Sequence, residues 1–163
     1  MITFKDTIDF LETIATKHYQ INSFHSGNLD EVDINKLGAQ DYIILYAEAG
    51  SAIINNGVLT YSMTLYVMDQ INDEVGESPN KQRLGRIDTY SETLRILQDV
   101  IAEFKQSLNS KSWVDGQVVL QLPVTCEPFT ARFNNLLTGW SSTISIDVNN
   151  KNNLCIAPLI HNT

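Results

Sequence analysis

The sequence predicts an α+β domain in which a mainly antiparallel sheet carries two principal helices packed on one face. Three observations lead there. Apolar residues recur at steps of three and four near the N-terminus and again from Tyr90 to Leu108, the period of an amphipathic helix. Elsewhere they alternate with polar residues at a period of two, the signature of half-buried strands. Helical and strand segments do not follow one another as βαβ repeats, which favours antiparallel pairing. With 163 residues, 43% apolar and 18% charged, the chain can bury one sizeable core, so residues 1–163 read as a single domain with long loops near 20–41 and 70–86.

The first helix is carried by Phe4, Ile8, Leu11, Ile14, Ala15 and His18, with Thr3 placed to cap it and Asp6 at the third helical position. The stretch from Gln20 to Asp41 has no sustained period and reads as a connection. Tyr42 to Ala49 is rich in aromatic and β-branched residues, and Asn55-Asn56-Gly57 tolerates a tight turn, so a hairpin follows. Its second strand points Leu59, Tyr61, Met63, Leu65 and Val67 one way and Thr60, Ser62, Thr64 and Tyr66 the other. One face is expected in the core and the other wet or interfacial.

Gln70 to Arg86 mixes Gly, Pro and charge and reads as a loop. Thr89 and Glu92 suggest a capping box opening the second helix, continued by Leu94, Leu97, Val100, Ile101, Phe104 and Leu108. Gln117 to Val124 alternates as a strand in which Pro123 favours an edge or an end. Phe129 to Leu137 reads as a short helix between Pro128 and Gly139, and Trp140 to Val148 as the last strand.

Nineteen acidic and eleven basic residues give a net charge of -8. That is the wrong sign for sequence-independent nucleic-acid affinity or for an anionic membrane surface. The N-terminal segment mixes acids into its apolar residues and resembles neither a signal nor a transit peptide. The uncharged run Ala49 to Met68 is interrupted by Ser, Thr, Asn and Gly, so it is not a membrane helix. Cys126 and Cys155 are expected to be free thiols in a reducing compartment.

No phosphate-binding glycine motif is present, and Gly139-Trp140-Ser141 lacks the closing glycine of a nucleophile elbow. Asp33 to Gly38 opens like a calcium loop, yet Leu37 and Ile44 stand where oxygen ligands belong. His18, His25 and His161 are scattered, without zinc-site spacing. No enzyme activity, cofactor or metal is expected.

Tyr61 to Asp69, Asp88 to Leu94, Phe129-Thr130-Ala131-Arg132-Phe133 and Leu137-Thr138-Gly139-Trp140 resemble segments of the tail-terminator or tail-completion family of tailed bacteriophages. The closing Cys155-Ile156-Ala157-Pro158 is similar to the ends of structural proteins in crAss-like phages. The resemblance implies a virion structural protein, assembled in the host cytoplasm, whose copies form a homo-oligomeric ring in the neck or tail. Its neighbours would be portal-side or tail-side virion proteins, and DNA would pass through the lumen as non-specific cargo. In such a ring the assembly interface is expected at Phe129, Arg132 and Trp140 and, because the acidic first half and basic second half of the 70–86 segment suit pairing between neighbours, at Asp73, Glu74, Glu77, Lys81, Arg83 and Arg86. Acids lining the lumen would come from Asp73, Glu74 and Glu77 or from Asp30, Glu31 and Asp33, unless both clusters lie on the outer surface. The alternative reading is a small acidic protein-binding module without catalytic activity.

Overall fold

A computed structural model describes residues 2–28, 41–71, 79–115, 118–132 and 137–150. Eight elements follow in order: α1 (Phe4–Lys17), β1 (Ser23–Gly27), β2 (Ile44–Asn55), β3 (Val58–Gln70), α2 (Pro79–Asp115), β4 (Val118–Leu120), β5 (Cys126–Arg132) and β6 (Leu137–Asn149).

The start of α1 is set locally. The Thr3 hydroxyl accepts the Asp6 N–H at 3.2 Å while the Asp6 carboxylate accepts the Thr3 N–H at 2.7 Å, a reciprocal capping box. The β2–β3 hairpin closes through Asn56 and Gly57, the latter at φ +77°, a conformation that favours glycine. From it the β3–β6 ladder runs unbroken between the pairs Val58–Asn149 and Gln70–Leu137. The sheet order is β1-β2-β3-β6-β4, with β5 beside the other half of β6. Every pairing is antiparallel except β1 with β2.

One sheet face carries both helices. Leu11, Ile14 and Ala15 of α1 and Ile96, Leu97, Val100, Phe104 and Leu108 of α2 bury against Leu45, Met63, Leu65, Val67, Ile144, Ile146 and Val148. The odd-numbered face of β3 is thus the core face, as its alternation predicts.

Three segments differ from the sequence expectation. The second helix starts at Pro79, not near Thr89, so residues 79–86 of the expected 70–86 loop are helix. Proline is favoured in the first helical turn, and Lys81, Gln82, Arg83 and Leu84 are good helix formers. Thr89 lies inside the helix and donates its hydroxyl to the Gly85 carbonyl at 3.0 Å. Residues 126–132, expected to lead into a short helix from Phe129, form β5 instead, because β6 offers them a ladder and an edge strand tolerates Pro128. Within the expected 20–41 connection, Ser23–Gly27 is the parallel strand β1, held by tertiary pairing with β2.

Candidate assembly interface

The sheet's second face has no helix on it among the described residues, and it divides into two zones. Along its middle, hydroxyls pair across β3 and β6: Thr64 with Thr143 at 3.2 Å, Ser62 with Ser145 at 3.1 Å, and Thr60 donating to the Asp147 carboxylate at 2.6 Å. Gln121 also donates to Asp147, from just beyond β4. These are the residues that alternate away from the core, and their cross-strand pairing satisfies them on a half-wet surface. At the other end sits a small apolar cluster of Ile44, Tyr46, Met68 and Leu137, with Tyr42, Tyr66 and Phe129 packed on it. The Tyr66 ring meets Tyr46 and Phe129 edge to face, at centroid distances of 6.3 and 6.1 Å, and its hydroxyl donates to Glu48 at 3.1 Å.

Of the nominated interface residues, Phe129 and Trp140 lie on opposite faces of the sheet. Phe129 belongs to the aromatic cluster just described. Trp140 faces the helices, where its indole N–H donates to the Tyr90 carbonyl at 2.9 Å and its ring meets Tyr90 edge to face. It ties α2 to β6. Arg86 is half-buried near the start of α2, and its Nε has no hydrogen-bond partner among the described residues. Lys81 and Arg83 lie in the first turns of α2 and Arg132 ends β5. Asp73, Glu74 and Glu77, like Asp30, Glu31 and Asp33, lie outside the described residues.

Residues that sequence reading missed stand at the two sides of the sheet. On β2, Ile53 and Ile54 are 57% and 75% exposed; on β4 and just beyond it, Val119 and Leu122 are 46% and 58% exposed. The signal for the first pair was present, since Ile53-Ile54 precedes the Asn-Asn-Gly turn in a segment without charge. What it lacked was a reason to place both faces of the strand in solvent. That reason is topological: β1 pairs with β2 only through Glu48, neither helix covers this corner, and Ala49–Asn56 are all exposed.

A cleft of about 460 Å³ between α1 and α2 is lined by Ile14, Lys17, His18, Asp99, Glu103 and Gln106. His18 Nδ1 accepts the Gln20 N–H at 3.3 Å, and its Nε2 lies 3.5 Å from Asp99. This pair fastens the end of α1 to α2. Among the described residues no group of three His, Cys, Asp or Glu side chains is arranged to hold a metal ion, and no helix is long and apolar enough to cross a membrane. Compared with known proteins, the chain matches no protein-family model and no curated sequence.

Proposed function

We propose that the protein is a non-enzymatic virion component whose copies assemble head to tail into a ring in the neck or tail of a tailed phage, joining portal-side to tail-side proteins. The observation that carries this reading is the exposure of aliphatic residues at two non-identical places, Ile53 and Ile54 on one side of the sheet and Val119 and Leu122 on the other. Different patches on one chain make heterologous contacts, and these close into a ring when the rotation between neighbours divides a full turn. The phage resemblance supplies the setting.

The face without helices suits the passage of DNA. Along its middle it presents hydroxyls with Glu48, Glu127 and Asp147, and Arg132, opposite Leu137 in the β5–β6 register, stands at the far end of the face. The middle of this face thus holds acids and hydroxyls rather than cations that would grip duplex phosphates. The test is the mass of the purified protein by sedimentation velocity together with negative-stain imaging. A hexamer or larger ring with a central hole is expected, along with no duplex binding at physiological salt. A stable dimer with no higher state would overturn the ring, and a lumen lined by Lys and Arg would overturn the DNA-passage role.

A further inference from the structure

We infer that the outer edge of β2 beyond Glu48 takes an extended strand from a second copy of this chain, so that the subunit contact is continued sheet. The inference rests on the ring reading for the number of copies joined, and on the following geometry for the mode of contact.

β2 is paired with β3 from Ile44–Met68 to Asn55–Val58, apart from Gly50 and Ser51. On its other side β1 stops at the pair Gly27–Glu48. The column that β1 begins is therefore empty, among the described residues, alongside Ala49–Asn55. This is an open edge, set back by one strand from β1. Every second residue of such an edge aims its N–H and C=O outward, and those groups match the edge of another strand better than they match a small ligand. A bulge between Ala49 and Ala52 interrupts the register and leaves Ala52–Asn55 as the regular template. Gly50 lies in that bulge, where a Cβ would fall 2.8 Å from the Ser62 carbonyl oxygen.

The devices that natural proteins use to protect an edge are missing here. There is no Lys, no Pro and no inward-pointing charge from Ala49 to Leu59, and Ile53 and Ile54 project from opposite faces of the strand into solvent. A chain of net charge -8 repels its own copies over most of its surface. The run from Ala49 to Met68 carries no formal charge. This corner is where two acidic copies can meet without opposing like charges, and it gives a basic partner no charge to grip. Those two facts point to a second copy as the occupant.

Two measurements on the full chain test this. The first is amide hydrogen exchange over residues 50–57, compared between the free subunit and the assembled protein. The second is assembly of Ile53→Lys/Ile54→Lys, which places charge on both faces of the edge at positions that are mostly in solvent, with circular dichroism and melting temperature as the check on folding. Exchange slowed about tenfold or more on assembly, with assembly of the doubly substituted chain weakened about tenfold or more while its fold is intact, supports strand addition. A ring in which residues 50–57 exchange as fast as in the free subunit overturns strand addition and leaves the ring reading standing. A dimer with those amides protected keeps strand addition and overturns the ring. A protein that remains monomeric at every concentration, with fast exchange throughout 50–57, overturns both.

Discussion

Replacing Gly139 by Ala should be the most damaging single-methyl change in the sheet. Gly139 pairs with Met68 in the β3–β6 ladder and with Phe129 in the β5–β6 ladder, so its backbone is held from both sides. A Cβ built there would fall 1.9 Å from the Val67 carbonyl oxygen and 2.9 Å from the Val67 carbonyl carbon. Both atoms are main chain, and neither can swing aside as a side chain would. Relief requires the two strands to part locally. Overpacking at a tight site costs about 1–3 kcal/mol, and each ladder hydrogen bond stretched or lost adds about 1 kcal/mol. The sum is roughly 3–5 kcal/mol, which for a chain of this size lowers the melting temperature by roughly 6–20 °C. Gly57→Ala is the internal control: that position has open space around it and only its φ of +77° to object, a cost of roughly 1–2 kcal/mol. Urea unfolding followed by circular dichroism reads both variants. If Gly139→Ala loses no more stability than Gly57→Ala, the close approach of β3 and β6 at this point is wrong.

Trp140→Phe keeps the ring beside Tyr90 but removes the indole donor to its carbonyl, and should cost about 1 kcal/mol in the same unfolding assay. Asp69 is half-buried, and desolvation, aided by the nearby Glu92 charge and opposed by the Gln70 N–H, holds its carboxyl above the usual range. A carboxyl raised in the folded state favours folding most below its unfolded pKa of 3.8, and that advantage is lost as pH rises through the higher folded value. Asp69→Asn should therefore melt higher than the parent at pH 7, with the gap narrowing as pH falls toward 4 in a thermal series. Burial also pushes the Cys126 thiol up, so alkylation at pH 8 should be slower in the folded protein than in urea, with mass spectrometry assigning the modified residue.

Much of this fold was legible because its strongest signals are periodic. The alternation of β3 and β6 placed Met63, Leu65, Ile144 and Ile146 in the core and Thr60, Ser62, Thr64, Thr143 and Ser145 away from it, and the cap of α1 was readable from Thr3 and Asp6 alone. What escaped depends on partners distant in sequence. β1 is a strand only because β2 lies beside it in parallel, and β5 only because β6 offers a free flank to residues that include Pro128. The beginning of α2 was obscured by reading Pro79 and Gly85 as breakers, although the residues between them favour a helix. At the candidate interface, the charged residues nominated between Asp73 and Arg83 have no described side-chain geometry, whereas Ile53 and Ile54, between the expected strand and its turn, carried no local sign of their exposure. Exposure is a property of what fails to cover a residue, and no local pattern encodes that.

The position of β6 also fixes when the molecule can become whole. It is the last of the described elements to be synthesised, yet β3, β4 and β5 all pair with it, and α2 packs on it as well. Until Leu137–Asn149 has left the ribosome, β3 has one unpaired flank, the apolar stripe of α2 lacks most of its floor, and β4 and β5 have no ladder to join. The partners of Val58 and Leu59 are Asn149 and Val148, close to ninety residues away along the chain. Contacts of that span make folding slow and place it after the synthesis of β6. During that interval the nascent hairpin, uncharged from Ala49 to Met68, holds its free strand flanks open to other chains.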